Sequence, residues 1–107
     1  MGRSLLVTFD DGLERELDVA RQKLRSGNLH GAVEALRRVL GRAPEHALAH
    51  TLLAAALLDQ RRIHAGLHEA KLGVQLDVEA PLAHQILGRA YLAQRKFELS
   101  DEHLTRA

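Results

Sequence analysis

A period of 34 residues runs through this chain of 107. The stretch from Gly27 to Pro44 returns imperfectly from Arg61 to Val78 and begins again at Arg95, each time 34 residues further on. In rows of that length, Ala20, Ala54 and Gly88 share a column, and Ala32, Gly66 and Ser100 share another. Both columns hold small residues. Three further columns hold large ones: Val19, Leu53 and Leu87; Leu24, Leu58 and Leu92; Leu29, Ile63 and Phe97. A small residue at the same point on each of two helices lets their backbones cross closely. A large residue one turn away fills the space beside the crossing. A period of this length marks supersecondary units that stack on one another.

Within each row the apolar spacing is helical. Residues 4–9 alone read as an extended segment, stopped by Asp10 and Asp11. Asp11 with Glu14 resembles a capping box, so a first helix is expected from Gly12 to Arg25, striped by Leu13, Leu17, Val19, Ala20 and Leu24. Gly27 suits a left-handed helix end, and Asn28 suits the cap of a second helix, Leu29 to Gly41, which Pro44 closes. A third helix, Glu45 to Asp59, is apolar almost all round and must be covered on two sides. A fourth, Ile63 to Leu76, carries Gly66 and Gly73. Each glycine costs about 1 kcal/mol relative to Ala, which close approach of a neighbouring helix would explain. A fifth, Ala80 to Gln94, tolerates Pro81 in its first turn, and a sixth starts at Phe97. Short connections make antiparallel neighbours. The expected fold is all-α, three stacked helix hairpins, with residues 1–11 as an N-terminal segment and 12–107 as the repeat domain. The repeats are expected at about 13–46, 47–80 and 81–107, the last truncated or uncapped, as in a fragment of a longer repeat protein or an end that packs on a partner.

The period and its small and large columns resemble the tetratricopeptide repeat family, over residues 13–107. Two features depart from that family. Its aromatic near the start of each first helix is replaced by Glu16, His50 and His84, and the repeat-closing proline, present at Pro44, is Val78 in the second repeat. The resemblance implies a right-handed superhelical solenoid. It also implies a concave groove, lined by the first helix of each pair, that receives an extended peptide or a helix. Matching columns point to Leu17, Arg21 and Leu24; Leu48, Leu52, Ala55 and Asp59; and Leu82, Ile86, Arg89 and Ala93. Family members that clamp acidic C-termini of heat-shock chaperones use Lys, Asn and Arg. Those columns here hold Leu17, Arg21, Leu52, Leu82 and Ile86, four of them apolar, which argues against that ligand.

The expected function is therefore a protein-interaction scaffold that holds an apolar peptide or helix, as a chaperone or assembly adaptor does. Leu5 to Phe9 folded back, or a second copy of the chain, are other expected occupants of the groove. The alternative is a self-associating structural unit of a longer repeat protein. Nucleic acid gains no support, because 15 basic and 14 acidic residues nearly cancel and are spread evenly. No apolar run reaches the length of a membrane span, and the N-terminus is too short for a signal peptide, so a cytoplasmic place is expected.

Chemistry finds little footing. There is no cysteine, no glycine-rich phosphate loop and no serine placed for a hydrolytic triad, so no enzyme activity and no cofactor are expected. Seven histidines raise a metal reading. His46 and His50 stand four apart, as do His64 and His68, with Glu69 or His84 as a third ligand. The sequence specifies no such third ligand, and the plainer assignment is to surface and groove-edge positions.

Overall fold

The computed structural model describes the backbone from Gly2 to Arg106 and the side chains of residues 12–99. It is all-helical, with five helices among the described residues: α1 (Gly2–Ser26), α2 (Leu29–Arg42), α3 (Ala47–Asp59), α4 (Ile63–Leu76) and α5 (Pro81–Arg106). The connections are short, so consecutive helices double back and pack on their neighbours, and α3 also touches α1 and α5. The molecule is elongated, with extents of 66 × 28 × 19 Å.

Local chemistry sets the boundaries. α1 stops at Gly27, whose φ of 86° lies in the left-handed region open to glycine. Asn28 then caps α2, its side chain accepting from Gly31 N at 3.0 Å. His46 caps α3 through Nδ1, which accepts from Ala49 N at 3.2 Å. Pro81 opens α5, where its missing N–H costs nothing.

Two expectations fail at the ends of the chain. The N-terminal segment is helical rather than extended, because α1 continues through Asp10 and Asp11 back to Gly2. Those aspartates therefore lie within a helix and do not start one, and Leu5 to Phe9 form early turns of α1 instead of a strand returning to the groove. Leu5 and Leu6 are strong helix formers, and their propensity prevails over Val7 and Thr8. The sixth helix does not begin separately either. α5 runs straight through Gln94, Arg95 and Lys96, which contain no glycine or proline to interrupt it. Two helix hairpins and one long helix thus replace three hairpins.

Two buried clusters hold the stack together. In the first, Leu17 and Ala20 of α1 meet Leu36 and Val39 of α2 and Leu53 and Leu57 of α3. In the second, Ala54 and Leu58 of α3 meet Leu67 and Ala70 of α4 and Ile86 and Ala90 of α5. α3 contributes to both, as an all-round apolar helix must. At the crossing of α3 and α4 the two small columns meet, Ala54 against Gly66. A Cβ added at Gly66 would sit 2.8 Å from Leu58 Cδ2 and 3.3 Å from the Ala54 carbonyl oxygen, and one at Gly73 would collide with Thr51. No described helix is long and apolar enough to cross a membrane.

Candidate binding cleft

An open cleft of about 810 Å³ lies where the turns between α1 and α2 and between α3 and α4 come together, flanked by α5. Two of the large sequence columns line it completely. Leu24, Leu58 and Leu92 come from the last turns of α1 and α3 and from α5; Leu29, Ile63 and Phe97 come from the first turns of α2 and α4 and from further along α5. The repeat therefore places equivalent side chains side by side at one end of the stack. Leu58 is 4% exposed, but Leu92 is 55% and Phe97 51% exposed, so the α5 side of the lining is open. Phe97 meets the His64 ring edge-on at 5.7 Å between centroids.

The charges at the cleft are predominantly basic. Arg89 donates to Asp59 Oδ1, which ties α5 to α3 and neutralises both charges. Arg61 and Lys96 carry the remaining positive charge at the lining. Arg61 holds a φ of 65°, a left-handed conformation that places it at the mouth in the column where Gly27 makes the preceding turn.

The groove residues expected from matching columns are dispersed. Leu17 and Ile86 are buried in the first and second clusters, so neither offers surface to a ligand, because adjacent hairpins close over them. Leu48, Leu52 and Ala55 are half-buried along α3, Leu52 against the first cluster and Ala55 against the second. Arg21 and Leu82 are exposed. Of these eight residues the cleft includes Arg89 alone, together with Leu24, Asp59 and Ala93 from the wider set.

The histidines perform structural work that column matching did not assign to them. His50, on α3, has Nε2 2.7 Å from the Pro44 carbonyl oxygen and Nδ1 2.6 Å from Glu69 Oε1 on α4. Both oxygens are acceptors, so a proton must lie between Nδ1 and Glu69 while Nε2–H donates to Pro44. One buried ring thus binds the α2–α3 turn to α4. Thirty-four residues on, His84 donates from Nε2 to the Val78 carbonyl oxygen at 2.6 Å, repeating the bond across six residues. Glu16, in the same column, accepts from Arg38 Nε of α2 at 3.2 Å. The signal available in the sequence was a histidine at one column, six residues after the closing residue, in two successive rows. These bonds occupy both ring nitrogens of His50 and the Nδ1 of His46; among the described residues no group of three or more potential ligands gathers.

No protein-family model matches the chain, and no curated protein matches it in sequence.

Proposed function

We propose that this chain is a non-enzymatic interaction module whose cleft holds an amphipathic helix or peptide of a partner protein. The observation that carries the reading is the cleft wall. Six large apolar residues from two repeat columns converge on one opening, with Leu92 and Phe97 exposed there. Apolar surface gathered in a concavity is what an apolar segment needs for burial, and each well-covered leucine contributes on the order of 1.5–3 kcal/mol. Arg61 and Lys96 at the opening favour acidic residues beside the ligand's apolar stripe. The architecture is read as a right-handed superhelical stack of the tetratricopeptide type. Support comes from the 34-residue period and from the small residues at the crossing of α3 and α4.

Fluorescence anisotropy with a labelled amphipathic helical peptide of leucine and glutamate tests the proposal. Leu29→Glu and Arg61→Glu should each weaken binding by about tenfold or more, as loss of a contact worth about 1.4 kcal/mol does. Leu76→Glu, at an exposed position outside the cleft, should leave binding unchanged. Equal affinity across all three variants would remove the cleft as the binding site.

A further inference from the structure

We infer that the edge of the stack formed by the α1–α2 and α3–α4 turns is a docking surface for single-stranded nucleic acid. Along the chain, bases and acids are evenly spread. In space they are not, because equivalent turns of a repeat fall at the same end of the stack. One end carries Lys23 and Arg25 in the last turn of α1 and Arg61 and Arg62 in the α3–α4 turn. Asp59, the acid beside them, is neutralised by Arg89. The opposite end, at the α2–α3 and α4–α5 turns, carries Glu45, Asp77 and Glu79 against Arg42. The cleft shows that the two basic turns stand side by side, because Gly27 and Leu29 of the first and Arg61 and Ile63 of the second line one opening.

The four cations at the basic end form no ion pair among the described residues. Arg25, Arg61 and Arg62 are exposed, and the half-buried Lys23 lays its stem along the first turn of α2, with Cδ against Gly31. Three of the four are guanidinium groups, whose planar fork matches the oxygens of a phosphate. Exposed rings stand beside them. His30 and His64 share one column, in the first turns of α2 and α4. The His30 side chain is 82% exposed, with Nε2 3.5 Å from Glu34 Oε2. His64 is exposed too, meets Phe97 edge-on and makes no side-chain hydrogen bond among the described residues. Rings beside arginines suit an unpaired base, which stacks while its phosphates meet the cations. The rings also decide between anions. A polyacidic peptide would use the cations alone, and a duplex keeps its bases stacked away from any side-chain ring.

This surface is separable from the cleft, because Lys23, Arg25, Arg62 and both rings lie outside the cleft lining. The test is fluorescence anisotropy with a labelled oligouridylate of about 12 nucleotides, at about pH 8, where free imidazole is neutral. Affinity should fall with salt at a log–log slope of about −2.8, as four phosphate contacts require. Arg25→Gln/Arg62→Gln should weaken binding by about tenfold or more, flatten the slope by about 1.4 and leave peptide binding in the cleft unchanged. His30→Ala/His64→Ala should weaken binding by about tenfold or more with the slope unchanged, because stacking releases no counterion. Arg15→Gln/Arg37→Gln, which removes two exposed cations away from these turns, should leave binding nearly unchanged. Four results would overturn the inference: no binding at low salt, an equal loss from Arg15→Gln/Arg37→Gln, equal affinity for polyglutamate of the same length, or tighter binding of duplex RNA. If the cleft peptide fails while the oligouridylate binds as described, only the cleft proposal is lost; the reverse result removes only this one.

Discussion

Arg61 adopts a φ of 65° in the column where Gly27 adopts 86°. A side chain in that region costs about 1–2 kcal/mol, while glycine's extra unfolded-state freedom returns about 0.5–1 kcal/mol of that gain. Arg61→Gly should therefore stabilise the fold by about 0.5–1 kcal/mol, read as a higher denaturant midpoint. His50 poses a different problem. His50→Ala leaves the Pro44 carbonyl and Glu69 without their partner in a largely buried place, and should cost about 2–3 kcal/mol. Glu69→Gln should cost less than about 1 kcal/mol, because the amide can donate to Nδ1 while Nε2–H still serves Pro44. Equal losses from the two variants in urea unfolding would show that the ring does not hold the turn.

Each helix carries its crossing chemistry in its small residues, and the structure separates two glycines that sequence reading treats alike. Gly66 lies against Leu58 and the Ala54 carbonyl, so Gly66→Val should destabilise by about 1–3 kcal/mol through overpacking. Gly88 faces open space, and Ala occupies its column in both earlier repeats, so Gly88→Ala should stabilise by about 1 kcal/mol through helix propensity. Thermal melts of the two variants should move in opposite directions. Helix α2 was legible almost to the residue because Gly27, Asn28 and Pro44 carry strong backbone preferences, and α4 because it lies one 34-residue period after α2. The straight course of α5 was not. Gln60-Arg61-Arg62 turns and Gln94-Arg95-Lys96 does not, although the two triplets are nearly alike, so packing rather than local preference decides. The N-terminal turns of α1 were missed for a related reason: an aspartate pair and a β-branched run are weak signals that helix continuity outweighs. The candidate site was half legible. The columns Leu24, Leu58, Leu92 and Leu29, Ile63, Phe97 were visible as a register, but their convergence on one cleft depends on where α5 passes.

Across the whole molecule, α3 alone supplies buried residues to both clusters, while α4 reaches the first only through the half-buried Ala65. Solenoids of weakly coupled units can unfold in steps, one interface at a time. Here the shared helix opposes that separation, because losing α3 exposes both cores. Leu53, 1% exposed, lies at its centre. Leu53→Ala should cost about 2–5 kcal/mol. It should lower the stability of both clusters together, so that circular dichroism and amide exchange at Val39 and at Ala70 report one transition. Separate transitions at those two positions would show that the hairpins unfold independently.

The central claim is that the repeat columns make a binding cleft, and residue-resolved NMR tests it most directly. The labelled protein is titrated with the amphipathic leucine and glutamate peptide. Saturable amide shifts should concentrate at Leu24, Leu29, Ile63, Arg89 and Phe97, and Leu29→Glu should suppress them. Shifts that never saturate, or that gather around Leu76 and Val78 away from the cleft, would contradict the account.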